Sequence, residues 1–421
     1  MNPLSILYVG RNSGTSRHRA SALRRLGHEV FIIDPATLLP KARFAASWTW
    51  QTGGLLFEGY VRRQLLAKLP NTQFDLVFVD SGELVGPALV SELKNRFGTI
   101  VNYNIDDPYG GRDGLRWRLY LAAAALYDLI VVVRDCNVRE AFAAGARGVL
   151  RVHMSADEIA HAPRPLNEED LRKWSADVSF IGTWMPERGP FMARLVTLGV
   201  PLSIYGNRWH KAREWPILRP FWRGPGLSDD SYAKAIQCAK VSLGLLSKGN
   251  RDLSTTRSFE IPSLGGVLCA ERTTEHTRLY AENEEAVFWS TPEECAAKCM
   301  QLIGDEERRK GIASRGRKRW LRNGTANEQV LSQIVGTLRV RHDRTGHNAK
   351  HSAAQHTNGG CGIPRFVPLQ GISQFSYLLG LMSQGNSCVP TMLARRAGWI
   401  RLKQVSSIVA RDFTYIIIPP R

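Results

Sequence analysis

Residues 257–271, RSFEIPSLGGVLCAE, set one acid, Glu260, between apolar neighbours and follow it with a proline and two glycines. A carboxylate on a short helix just ahead of a buried strand has two readings. It is a solvated helix residue, or it is held to accept two hydrogen bonds from a vicinal diol. Thr255 or Thr256 is expected to cap that helix. Pro262 belongs in its first turns, where no amide donor is needed, and Gly265 ends it.

Cationic and polar groups gather just upstream. LLSKGNRDLSTTRSFE brings Lys248, Asn250 and Arg257 to one loop. SFIGTWMPERGP places Gly182, a short loop and then Arg188 near a helix start. An arginine there, with free helix amides, can neutralise a diphosphate. Near the N-terminus, GRNSGTSRHRA opens with Gly10 and small hydroxyl residues before a helix. That suits amides approaching an anion, or a flexible turn capping the helix, and it is neither a GxGxxG nor a P-loop. NYNIDDPYGG puts Asp106 and Asp107 before Pro108. Neighbours in an extended chain point to opposite sides, so at most one faces a cleft. That one could act as a general base or hold sugar hydroxyls; the alternative is an Asx turn.

These loops need strands to hold them. Short apolar runs at 5–10, 29–34, 74–80, 99–106 and 128–133 alternate with helical patterns such as GPALVSELKNRFG. Strands apolar on both faces and separated by helices imply a parallel sheet covered on both sides. A polar, Pro-containing segment from His153 to Ala176 reads as a linker. The pattern then resumes with DVSFIG, PLSIYG, AKVSLGLL, GGVLCAE and EEAVFW, and closes with helices near Val340. The expectation is an α/β chain of two Rossmann-like domains facing across a cleft, 1–160 and 161–340. In such sheets ligands sit beyond the carboxyl ends of the strands. Residues 341–421 break the pattern and are expected to form a basic, His- and Gly-containing tail, disordered or irregular, with no catalytic role. Its four histidines lack ligand spacing, and a reading-frame change could have appended it.

The formal net charge is +18. From Arg341 onward there are ten Lys/Arg against Asp343 and Asp412, so nearly half the excess lies in the tail. A second basic run, 308–322, carries Ile312 and Trp320 at helical spacing. It reads as a solvated face, with weak attraction to an anionic surface as the alternative. No nucleic-acid-binding signature accompanies the charge, so no specific nucleic acid is expected. Seven cysteines without framework spacing suit reduced thiols in a cytoplasm, and Cys295 and Cys299 read as packing. The longest apolar run, 119–133, is short of a membrane span and contains Asp128. The N-terminus carries no secretion-signal pattern.

FDLVFVDSG, NIDDP, DVSFIGTWMPERGPFMARL and above all TTRSFEIPSLGGVLCAE resemble the spore-maturation-protein (CgeB-type) glycosyltransferase-like family, of GT-B fold, over residues 3 to 340. The last stretch is similar to that family's Arg-x-Phe-Glu signature ending in a glycine pair. The resemblance implies that Glu260 holds the nucleotide ribose. It implies that Arg188, Lys248 and Arg257, with Asn250, Gly182 and Gly10 nearby, hold the diphosphate of a nucleotide-sugar donor. It implies transfer to an acceptor left open among glycan, lipid-linked and protein acceptors; the candidate catalytic residues, Asp106 and Asp107, rest on their strand-exit position alone. No metal and no cofactor are expected, and the cytoplasm, with peripheral contact at the inner membrane face, is the expected location. One feature departs from the pattern of many retaining relatives. The acid expected seven residues before Glu260 is Leu253, with only Asp252 near. The alternative function is a GT-B-fold surface or assembly protein that binds nucleotide or glycan without turnover.

Overall fold

The computed structural model describes residues 2–41, 45–352 and 416–417. Its first sheet is built from β1 (Ser5–Val9), β2 (Glu29–Ile33), β3 (Leu76–Asp80), β4 (Ile100–Asn104), β5 (Leu129–Val132) and β6 (Val149–Arg151). These run parallel in the order β6-β5-β4-β3-β1-β2. The second sheet holds β7 (Ala176–Ile181), β8 (Leu202–Tyr205), β9 (Trp222–Gly224), β10 (Ala239–Gly244), β11 (Leu268–Glu271) and β12 (Val287–Trp289). They too are parallel, in the order β12-β11-β10-β7-β8-β9.

The period of two along each strand explains why both faces are covered. On β1, Leu7 and Val9 join one buried cluster with Val61, Leu65, Leu89 and Leu93 of flanking helices. Ile6 and Tyr8 point the other way, into a cluster with Ala20, Ala22 and Leu23. All five residues of β3 and of β4 are buried, as double coverage requires. The apolar runs read from the sequence are strands. β6 and β9, three residues each, are the additions, too short to show a pattern of their own.

The expected linker contains a helix, Glu168–Trp174, fixed by a capping box between Asn167 and Asp170. The final helix, Asn327–Ser352, extends beyond Val340. Its Val330, Leu331, Ile334, Val335 and Leu338 share a buried cluster with Ala20, Ala22 and Leu23 of helix Gly14–Arg25. Arg25 ties that contact to Asp157, Glu158 and Glu328. The second half of the chain thus ends on the first sheet's helices. The expected irregular tail beyond Ser352 lies outside the described residues, apart from Ile416–Ile417.

Candidate functional site

In the second sheet β7 and β10 are neighbours, yet the chain leaves β7 toward β8 and leaves β10 toward β11. Their carboxyl ends form the point where the winding reverses, and the loops diverge there to open a crevice. Gly182 leaves β7. The backbones are so close that a Cβ on neighbouring Gly206 would lie 1.9 Å from the Gly182 carbonyl oxygen. Arg188 opens helix Arg188–Thr197 and folds back under both loops. It donates to the Thr183 carbonyl at 2.8 Å and to those of Leu245 and Leu246 at 3.1 and 3.2 Å.

Arg188 is 8% exposed and has no carboxylate partner among the described residues, and its Nε is unbonded. Burial, with Arg257 and Arg112 nearby, outweighs Glu187 and brings its pKa down to about 10. A buried cation without a counter-charge is costly unless an anion joins it. Arg112 comes from the first half of the chain. It donates to Ser247 Oγ at 2.5 Å and to Asn250 Oδ1 at 3.1 Å, so Asn250 is engaged as an acceptor.

Glu260 is a buried acid, 1% exposed, so the solvated reading is wrong. Its Oε2 accepts from Tyr232 at 2.7 Å and from Arg257, while His161 Nε2 lies 3.6 Å from Oε1. Burial pushes its carboxyl up, but Arg257, His161 and Tyr232 outweigh that and hold it low. Arg257 also donates to the Ile181 carbonyl at 3.1 Å, at the end of β7, and lies over the Tyr232 ring. Glu260, Arg257, Arg188 and Gly182 therefore converge on the β7–β10 crevice.

The helix carrying Glu260, Arg257–Ser263, departs from the expected caps. Neither Thr255 nor Thr256 caps it; instead the Thr255 amide donates to Ser258 Oγ at 3.0 Å. Pro262 sits near its end rather than in its first turn. The Ser258 carbonyl that Pro262 cannot serve accepts from the Tyr280 hydroxyl at 2.8 Å, which makes the proline tolerable there. Gly265, at φ +77°, ends the helix as expected.

The loop after β10 reaches across to the first sheet. Arg251, in the left-handed region at φ 54°, donates to Asp107 at 2.6 and 2.8 Å and to Glu140. Asp107 is buried and also accepts from Asn137 and from the amides of Tyr109 and Gly110, an Asx turn. Every oxygen of Asp107 is engaged, which leaves Asp106 as the freer acid of the pair. Its side chain is 34% exposed, 3.5 Å from Arg116, and burial raises its pKa. Beside it, Arg134 pairs with Asp252 and donates to the Ile105 carbonyl. Burial lifts Asp252 to about 6 against the pull of Arg134.

Lys248 lies at the rim, paired with Glu271. Gly10 packs so close to the Asp80 and Tyr8 side chains that an added Cβ would lie 2.8 Å from each, and its amide donates to the Ile33 carbonyl. These contacts tie it to the first sheet. Sequence reasoning missed Arg112, Arg134, Arg251, Tyr232 and His161. Arg134 could have been flagged, since it directly follows an apolar strand. The sulfurs of Cys269, Cys295 and Cys299 lie within 4.8 Å of one another in the core.

Residues 188–335 match the model of a family described as glycosyl transferase-like. The match begins on Arg188 and contains Arg257 and Glu260. No curated protein matches the chain. Among solved structures, sucrose-phosphate synthase from Thermosynechococcus elongatus superposes with a TM-score of 0.58 at 12% identity, covering 81% of this chain and 100% of that one. The Anabaena Alr3699/HepE protein in complex with UDP and glucose gives 0.56 at 12%, covering 80% and 100%. A putative UDP-N-acetylglucosamine 2-epimerase from Listeria monocytogenes gives 0.50 at 10%, covering 81% and 97%. The fold is GT-B. The family match lies in the half of that fold built on the second sheet. Among the described residues no helix is long and apolar enough to cross a membrane.

Proposed function

We propose that this protein is a glycosyltransferase that takes a sugar from a nucleoside-diphosphate donor bound in the β7–β10 crevice. The observation that carries the proposal is Arg188, a buried cation with a free Nε and, among the described residues, no carboxylate partner, beside Arg257 and Arg112. A diphosphate would supply the missing charge. The Anabaena neighbour was crystallised with UDP-glucose, which agrees with that ligand class. As the bond to the sugar breaks, negative charge grows on the leaving diphosphate, and preorganised guanidinium groups stabilise it there. In this proposal the arginines meet that charge without a metal ion or cofactor.

Glu260 accepts the ribose diol through Oε1, the oxygen free of Tyr232 and Arg257. Asp106 is the better placed of the two adjacent acids to act on an acceptor hydroxyl. The acceptor is a glycan, a lipid-linked sugar or a protein. The narrower kinship is with the CgeB-type family, on the strength of the TTRSFEIPSLGG stretch. We place the protein in the cytoplasm, with weak anionic-surface attraction limited to the exposed cations Arg308 and Lys318, since Lys310 pairs with Glu306. Several others of that helix are spent on carbonyls or on Glu285.

A second reading, binding without turnover, is favoured by one observation. Leu253 stands where an acid would contact the donor sugar, and the adjacent Asp252 is committed to Arg134. A panel of UDP-, GDP-, TDP- and ADP-sugars, followed by calorimetry and by nucleoside-diphosphate release with candidate acceptors, tests both. Release from one donor supports transfer. Binding without release supports the second reading, and failure of every donor to bind sinks both.

A further inference from the structure

The connection between β8 and β9 is made of short turns, with no full crossover helix. Trp209–Lys211, Trp215–Leu218 and Arg219–Phe221 form one turn each. Together they flank a half-open cavity of about 350 Å³ whose lining includes Gly206, Arg208, Trp209, Trp215 and Trp222. That is near the lower end of small-molecule pockets, roughly 300–1,000 Å³.

Its rings are fixed rather than loose. Trp209 Nε1 donates to the Gly182 carbonyl and Trp222 Nε1 to the Gly206 carbonyl, each at 3.0 Å. Trp215 and Trp222 meet edge to face at 5.9 Å. Trp209 is 1% exposed and packs edge to face on Phe180, so it forms the floor; with its indole N–H spent on backbone, Trp222 is the ring whose face is still open. Trp222 is 38% exposed, a cost in water that a stacked ligand would remove. Arg208 holds the left-handed region at φ 67°, a strained backbone for an arginine.

The same segment is strongly basic. Arg208, Lys211, Arg213, Arg219 and Arg223 are exposed, and none has an ion-pair partner among the described residues. Glu214, the one acid from Asn207 to Arg223, lies toward Gly189, whose Cβ would be 2.3 Å from Glu214 Oε2. Flat apolar faces beside hydrogen-bonding groups suit the C–H face and hydroxyls of a pyranose ring. Unpaired cations around them favour a ring bearing a carboxylate or sulfate. The rings line a concavity instead of projecting from an amphipathic helix, which argues against a lipid surface.

We propose that this cavity, which adjoins the β7–β10 crevice across Gly182 and Gly206, is a second saccharide site that binds an acidic sugar. The proposal stands on binding alone and does not depend on the transfer reaction. The test is tryptophan fluorescence and calorimetry on the full chain with three acidic probes: a hyaluronan tetrasaccharide, a galacturonate tetrasaccharide and a chondroitin sulfate tetrasaccharide. Maltotetraose is the neutral control. At least one acidic probe should bind, at least tenfold more tightly than maltotetraose, and should weaken severalfold between about 50 and about 300 mM salt. Trp222→Ala and Arg208→Gln should each weaken it about tenfold, and saturating UDP should leave it unchanged. If Trp222→Ala fails to fold, the exposed Arg208→Gln decides. Three outcomes overturn the proposal: no binding by all three acidic probes, equal binding of maltotetraose, or displacement by UDP, which would make the cavity a nucleotide-base pocket.

Discussion

Replacing Arg188 by methionine removes the buried charge while keeping an apolar stem of similar reach. In the free protein two effects oppose each other. The drop in pKa to about 10 means that the folded state disfavours the charged form by about 3 kcal/mol, a cost the variant escapes. Against that, the carbonyls of Thr183, Leu245 and Leu246 lose their donor, at roughly 1–3 kcal/mol for each that water cannot reach. The stability of the free variant should therefore change modestly.

Binding should change far more. One charge-assisted contact is worth about 1.5–3 kcal/mol, or roughly 10- to 150-fold in affinity. At a UDP concentration one hundred times the wild-type Kd, UDP stabilises the wild type by about 2.7 kcal/mol. A thirtyfold weaker variant at that concentration gains only about 0.9 kcal/mol. Denaturant unfolding with and without UDP reads this difference, and uridine, lacking phosphate, is the control. If UDP stabilises Arg188→Met as strongly as wild type, or if uridine and UDP affinities fall together, Arg188 is a loop brace and the diphosphate argument fails.

Glu260→Gln should destabilise the fold by about 2 kcal/mol in chemical denaturation. This is discounted from the roughly 3–5 kcal/mol of a fully buried pair because Arg257 is partly exposed; no change would mean that Arg257 relaxes into water. Asp252 holds its proton to about pH 6 in the folded protein against a reference value of 3.8. The native state then binds the extra proton between those values, and wild-type stability falls as pH rises through that window. Asp252→Asn should accordingly gain on the wild type from about pH 4 to about pH 6 in thermal melts; a constant difference would refute the shift. Cutting the chain before Asn327 removes five buried apolar side chains, Val330 to Leu338, at about 1.5–3 kcal/mol each, and should abolish the cooperative transition. Cutting after Ser352 should preserve it.

Much of the fold was legible because its cause is local. Runs such as LVFVD and IVNYN are apolar on both faces wherever they are placed, and Gly265 ends its helix through its own backbone freedom. The candidate site was legible only in outline. The sequence marked Arg188, Arg257 and Glu260 by type and by position after strands. It could not show that Glu260 spends one oxygen on Tyr232 and Arg257, or that Pro262 survives late in its helix because Tyr280 serves the stranded carbonyl.

By itself the sequence determined a parallel, doubly covered α/β architecture in two halves, because hydrophobic period and loop composition are properties of neighbours along the chain. Only the tertiary structure decided which charges meet. Asp107 and Arg251 lie 144 residues apart, as Arg134 and Asp252 lie 118 apart, and each pair joins a loop of one sheet to a loop of the other. The same arrangement leaves Arg188 without a carboxylate partner among the described residues. Coulombic pairing depends on distance and burial in three dimensions, and neither quantity is written in local spacing.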